Sequence, residues 1–513
     1  MKKYLIAILI AGITNLISCE DQLDIPQQGV QPVDATYSNA DDEAVNQFIA
    51  AIYYKIRGHV YTDNFVGTTT SAWSFKYHLE RMGGDFGDYY LYVDVADSPI
   101  YTKIWSYHYS IIYWCNMIVE NFPKNNVASA TVKNRIISEA RVIRAIMMMN
   151  LVQLWGTPPL ADHIMTGEEG NTPAEDSWVF IERELNEAAE GLPSKKGLDG
   201  QSEIGGRLTK EAAYAYLGKA CLWQKKYNEA ASILYSKVIA TGLYELVPDL
   251  AELNRYTSDF CSEYLWECDI NPEYPASQAG MMDALYSNWD VNEIFFPDNI
   301  YNAGGWGNVA YASESFGAFM DLHDKLGNGS KSKRYRAFLA TYEDLLDETL
   351  FSYSDQNKGV KPQGISKNEG YFRVKLIPRW ENIMGGEDMF TQYMHNNFVY
   401  MKYSEVLLNY AEAIAMGGTA GTLSGLDALN LVRNRAGLSL APTLDMNNIE
   451  YGVKAERRAE LFFEGIRFID LVRWGEASSV LAECGKYNPV FYGYIDGATQ
   501  QNKDNWRIVK NPQ

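Results

Sequence analysis

Residues 208–240 read LTKEAAYAYLGKACLWQKKYNEAASILYSKVIA, and this stretch decides the fold class. Ala213, Leu217, Ala220 and Cys221 recur at helical spacing and form one apolar stripe. Thr209 stands just before them, where a hydroxyl can cap the free N–H groups of the first turn. Lys225-Lys226-Tyr227-Asn228 makes a turn, and a second helix follows with Ala230, Leu234 and Val238 on its inner face. Helices joined by so short a turn lie antiparallel. Gly218 and Ala230 are small because the two helices must cross closely there.

Three further stretches repeat the arrangement in degraded form. Residues 132–155 pair with 174–192, where Trp178, Ile181, Leu185 and Ala188 keep helical spacing. Residues 404–416 pair with 423–436, and 453–463 pair with 466–480. Such pairs cannot bury their apolar faces alone, and stacking supplies the core. Leu217-Gly218, Tyr227 and Ala230 fall where a tetratricopeptide repeat places its packing residues, while the last landmark, Val238, arrives one residue late. The predicted fold is therefore mainly α, a tetratricopeptide-like helical repeat (an α/α superhelix). Its repeat helices occupy about 131–241 and 404–483.

Between the two repeat stretches, about 245–400 has another composition. It is rich in Asn, Gly, Asp and aromatics, as in Tyr286-Ser287-Asn288-Trp289-Asp290 and Asn302-Ala303-Gly304-Gly305-Trp306-Gly307. Loops this long inside a compact domain are functional or disordered, and the aromatic content argues against disorder. This insertion is expected to be irregular, loop-rich and the ligand face. A related patch, Trp73 followed by Gly83-Gly84-Asp85-Phe86-Gly87-Asp88-Tyr89-Tyr90, precedes the first repeat.

The chain opens Met1-Lys2-Lys3, runs apolar from Tyr4 to Ile13 and reaches Leu16-Ile17-Ser18-Cys19. A basic start, a short apolar run and small residues before a cut site describe an export signal. The apolar run is well short of the roughly 20 residues that span a bilayer. Leu-Ile-Ser-Cys resembles a bacterial lipobox, which makes residues 1–18 the leader and Cys19 the acylated first residue. Buried acyl methylenes contribute about 0.8 kcal/mol each, so a tri-acylated Cys19 suffices as an anchor. Residues 19–39 are read as the acylated Cys19 and a polar tether that follows it with Glu20-Asp21, not helical before Ala40, with a single body over 40–513.

With 47% hydrophobic and 21% charged residues the chain can build a large core. Its formal charge of −20, near −22 once Lys2 and Lys3 are removed, excludes a nucleic-acid binder. Of six Cys, five remain beside Cys19, an odd number that cannot complete a disulfide framework. Cys115 and Cys221 read as buried thiols. No Cys-x-x-Cys occurs, and the six His make no pair at metal-ligand spacing, so neither metal nor cofactor is expected.

SEARVIRAIMMMNLVQLWGTPPL (Ser138–Leu160), YSEVLLNYAEA (Tyr403–Ala413), LNLVRNRAGL (Leu429–Leu438) and ERRAELFFEGIRFIDLVRWG (Glu456–Gly475) occur in this order behind the lipobox. In these segments the chain resembles the SusD/RagB family of surface nutrient-binding lipoproteins over essentially its whole length. The C-terminal tail departs from the family, keeping only Trp506 and Asn511-Pro512. The resemblance implies an outer-membrane lipoprotein of a Gram-negative bacterium, facing outward. It implies capture of oligo- or polysaccharide and delivery to a SusC-like TonB-dependent β-barrel transporter, without catalysis.

Sugar rings present C–H faces that pack on aromatic rings, while their hydroxyls need amide and carboxylate partners. Trp73, Trp289 and Trp306 are therefore the candidate platforms, and Asp85, Asn288, Asp290 and Asn302 the candidate hydrogen-bonders. Each Trp is equally able to plug its own loop onto the helices. Two rival functions stay open. One is a peptide-binding importer subunit of the same family. The other is a helical-repeat glycosidase, which needs two carboxylates about 5–5.5 or 6.5–9.5 Å apart. Glu456, Glu460, Glu464 and Asp470 invite that reading. Asp470, however, stands three residues from Arg467 and Arg473, and Glu460 three from Arg457, the spacing of ion pairs on a helix surface.

Overall fold

The computed structural model of the chain describes residues 33–60, 99–195, 205–253, 255–269, 314–341, 344, 371–375, 383–385, 392–394, 397–462, 464–484, 487–489 and 508–510. Helices α1 (Val33–Ser38), α2 (Asp42–Val60), α3 (Pro99–Asn121), α4 (Ala130–Trp155), α5 (Ala174–Ala189), α6 (Lys210–Trp223) and α7 (Tyr227–Ile233) come first. From α3 onward each packs on the next, and α2 lies across α3 and α4. Ser129 and Thr209 cap α4 and α6, accepting from the N–H of Val132 and Ala212. Helix α1 corrects the expectation of no helix before Ala40. The Tyr37 ring packs 4.7 Å from Phe48 and 5.1 Å from Phe122. The Asn125 amide also donates to the carbonyls of Tyr37 and Ala40, which ties the segment down.

At the α6–α7 crossing a Cβ on Gly218 would stand 2.5 Å from Leu234 Cγ, so only glycine admits this approach. Past Ile233 the chain widens into a π turn, Leu234–Val238. A π turn holds one extra residue, usually as a single-turn bulge within an α-helix. Here it accounts for the late landmark: Ala230, Leu234 and Val238 all remain buried on the inner face.

The insertion contributes β1 (Tyr264–Cys268), α8 (Glu314–His323), α9 (Lys333–Phe338), β2 (Leu339–Thr341), β3 (Tyr371–Arg373), β4 (Ile383–Gly385), β5 (Gln392–Met394) and β6 (Phe398–Lys402). The last pairs antiparallel with β1, and β2–β3 and β4–β5 are short antiparallel pairs. There follow α10 (Tyr403–Ala415), α11 (Gly425–Arg435), α12 (Val453–Glu460), α13 (Arg467–Trp474), α14 (Ala477–Cys484) and the pair β7 (Tyr487–Pro489) and β8 (Ile508–Lys510). Helix α10 stacks on α7, which joins the two repeat stretches into one continuous core.

The described part of the insertion is more ordered than its composition suggests. Phe316 and Met320 of α8 and Tyr335 and Phe338 of α9 form a second apolar cluster with Tyr264 and with Phe462, just beyond α12. Phe316 and Phe462 stack at 3.8 Å and 9°. The insertion thus packs on the C-terminal signature segment instead of looping free of it.

Candidate functional site

The signature carboxylates belong to the scaffold. Glu263, Asp324, Glu456, Glu460 and Glu464 meet Arg334, Arg433, Arg435, Lys375 and Lys402, five against five, in the interior. Arg334 donates to Asp324 at 2.8 and 3.0 Å, to Glu460 at 3.2 Å and to Glu456. Arg435 reaches Glu263 at 2.8 Å and Glu460 at 2.5 Å. Nearby, Arg457 and Arg473 both donate to Asp470, and Trp474 Nε1 donates to Glu412 at 2.9 Å.

Burial pushes Glu460 and Asp470 upward, but the cations around them win. Arg435 and Arg334 hold Glu460 below the ordinary carboxylate value, and Arg457 and Arg473 hold Asp470 at about 2. Groups so ionised and so engaged are poorly suited to exchanging protons with a substrate. The expectation of surface ion pairs needs correcting. The Asp470–Arg473 spacing is used, but inside the protein. Arg457 turns away from Glu460 to Asp470 and Asn409. Glu460 takes partners from α9 and α11, more than twenty residues away.

Cys19, Trp73, Asp85, Asn288, Trp289, Asp290, Asn302 and Trp306 lie outside the described residues. The described body nonetheless includes points from which the segments carrying these candidates depart. Helix α2 ends before 61–98, and β1 leads through Asp269 into the segment carrying Trp289 and Trp306. Residues near both points border one cleft of about 360 Å³. One wall is the α2 face with Asn46, Tyr53 and Tyr54; the other is Gly206, Arg207, Asp269 and Tyr400.

Local sequence explains the second wall. A Cβ on Gly206 would stand 2.7 Å from the Glu267 carbonyl oxygen and 2.8 Å from the Asp269 nitrogen, so glycine lets this segment lie against β1. Trp266 Nε1 donates to the Gly206 carbonyl at 3.2 Å, and its ring stacks on Tyr400 at 4.3 Å. Arg207 grips the buried Glu139 carboxylate with Nε and Nη2, and donates through Nη1 to Asn46 Oδ1. Tyr53 accepts the Leu208 N–H at 2.9 Å.

Behind β1, Glu267 accepts the Phe260 N–H through both oxygens and the Asn397 amide at 3.1 Å. Burial pushes Glu267 up to about 7 and its neighbour Asp259 to about 8. Beyond Tyr400 a smaller cavity of about 80 Å³ is lined by Asn150, Gln153, Lys219 and Glu464. Sequence reasoning missed this whole cleft. It is assembled from four separated stretches, and the Gly205-Gly206 pair beside Arg207 is its one local signal.

Cys115, Cys221 and Cys261 are free thiols, and burial pushes Cys115 and Cys221 up to about 12. Among the described residues no group of three His, Cys, Asp or Glu is arranged to hold a metal ion. None of their helices is long and apolar enough to cross a membrane.

The sequence profile of the SusD family matches residues 262–511. SusD-like protein P25 of Formosa agariphila is 22% identical over 93% of this chain and 90% of its own length. A SusD-like protein of Bacteroides ovatus is 25% identical over 72% of this chain and 65% of its own. Among solved structures, a laminarin-binding SusD-like protein superposes with TM-score 0.65 at 21% identity, covering 93% of this chain and all of the other. Surface glycan-binding protein A of Bacteroides thetaiotaomicron, in complex with laminarihexaose, gives 0.66 at 19% identity, covering 90% of this chain and 96% of the other. With the profile on residues 262–511 and SusD-like relatives and folds along nearly all its length, the chain is similar to the SusD family and shares its fold.

Proposed function

We propose that this chain captures glycan outside a Gram-negative cell and delivers it to a TonB-dependent outer-membrane transporter, breaking no bonds itself. The observation that carries the reading is the shared fold. Its neighbours include a laminarin-binding protein and one in complex with laminarihexaose, each matched over at least 90% of this chain. The engagement of the signature carboxylates in buried ion pairs supports binding over catalysis. Capture belongs to the segments carrying Trp73, Trp289 and Trp306, whose rings stack on sugar while Asp85, Asn288, Asp290 and Asn302 take hydroxyls. Cys19 is the lipid-bearing residue behind the leader 1–18, and 19–39 links it to the body.

Affinity electrophoresis through gels cast with different polysaccharides tests the reading. The chain is retarded by at least one glycan, and the Trp289→Ala/Trp306→Ala variant is not, with its thermal midpoint unchanged. Equal retardation of both proteins sinks this site assignment. Metabolic labelling with a palmitate analogue tests the anchor: Cys19→Ala is expected to lose the label and leave the membrane fraction.

A further inference from the structure

We propose that the 360 Å³ cleft between α2 and residues 205–207 is a subsite for one neutral sugar ring, built on residues other than Trp289 and Trp306. The proposal rests on the glycan reading above and assigns part of the recognition to other residues. Small-molecule pockets run from about 300 to 1,000 Å³, so this cleft suits a single ring better than an oligosaccharide.

Three features of its walls point to a polyol. Tyr54 is 59% exposed on a helix whose Ile49, Ile52 and Ile56 are all buried, which leaves an aromatic face in water at the cleft. Arg207, 26% exposed, uses three of its five N–H groups on Glu139 and Asn46. The other two remain to donate, from a guanidinium already fixed in place. Exposed Asp269 supplies an acceptor, since a carboxylate has room for more than one donor. The two opposite charges line the same cleft. A ligand anion would meet Asp269 and a ligand cation would meet Arg207, whereas hydroxyl groups use both.

Saturation-transfer NMR on the detergent-solubilised full chain tests this. The probes are methyl glycosides of glucose, galactose, mannose, xylose and rhamnose, with glucuronate and glucosamine as charged comparators. At least one neutral glycoside is expected to receive saturation from the wild type and equally from the Trp289→Ala/Trp306→Ala variant. Tyr54→Ala should weaken it about fivefold, matching about 1 kcal/mol for one aromatic contact. Arg207→Lys, which keeps the charge but loses the fork, should weaken it as well. Tyr54 is exposed, so its variant should keep the wild-type melting temperature.

The subsite is overturned if no neutral glycoside receives saturation from the wild type. It is equally overturned if Tyr54→Ala and Arg207→Lys both bind normally, or if a charged comparator binds better than every neutral sugar. Retardation by polysaccharide gels separates the two claims. Retardation without a monosaccharide signal leaves glycan capture standing and removes the subsite. A monosaccharide signal lost with Tyr54→Ala but without retardation does the reverse.

Discussion

Arg334 offers the sharpest perturbation of the fold. It is fully buried on α9 and joins Asp324, at the end of α8, to Glu456 and Glu460 of the signature helix. Arg334→Met keeps most of the volume and leaves three interior carboxylates short of a cation. Removing one partner of a buried ion pair costs about 3–5 kcal/mol, because the remaining charge stays out of water. Unfolding entropy runs at about 2.1 cal/mol/K per residue, which for 513 residues is about 1 kcal/mol/K. The variant should therefore melt about 3–5 °C below the parent by scanning calorimetry if the chain unfolds as one unit. Arg334→Lys, a charge without the fork, should recover part of the loss. Lys454→Met, which breaks a half-exposed pair with Glu476, should shift the midpoint by about 1 °C or less. If Arg334→Met melts no lower than Lys454→Met, the cluster does not latch the insertion to the repeats.

Other expectations follow from single features. Gly218→Val adds atoms where a Cβ alone would stand 2.5 Å from Leu234, so it should destabilise by about 1–3 kcal/mol in urea titrations. Glu267 keeps its proton in the folded state up to about 7, above the ordinary carboxylate value. That stability is present below the unfolded value and is lost as pH rises through 7, an effect on the order of 3 kcal/mol. Glu267→Gln should accordingly flatten the decline of unfolding free energy between pH 5 and 8. Asp470, held at about 2, works in the opposite sense. Its contribution is present above the ordinary value and lost as pH falls toward 2, so unfolding followed below pH 4 should weaken steeply in the parent and less in Asp470→Asn.

The helix pairs were legible because periodicity of 3.6 and small-residue crossings are local signals, as Gly218 and the Thr209 cap illustrate. The π turn was half legible: Val238 stood one residue late, but only three dimensions show where the extra residue goes. The ion pairs were misread as surface pairs because spacing reveals a neighbour on the same helix and says nothing of Arg334, more than a hundred residues away. Helix α1 was hidden for a similar reason, since what holds it is Asn125, far along the chain. The insertion's composition advertised loops and concealed the aromatic cluster that Phe316 and Phe462 complete. Of the proposed recognition surface, the tryptophans were singled out by their flanking polar residues. The cleft at Tyr54 and Arg207 was not, because no short stretch contains it.

The central claim is capture without chemistry. The direct measurement is calorimetric titration of the chain with a panel of oligosaccharides, laminarihexaose among them, followed by analysis of each recovered ligand. The account predicts saturable binding of at least one oligosaccharide, recovered intact after prolonged incubation. Saturable binding of oligopeptides with none of any glycan, or a bound oligosaccharide recovered as shorter products, would contradict it.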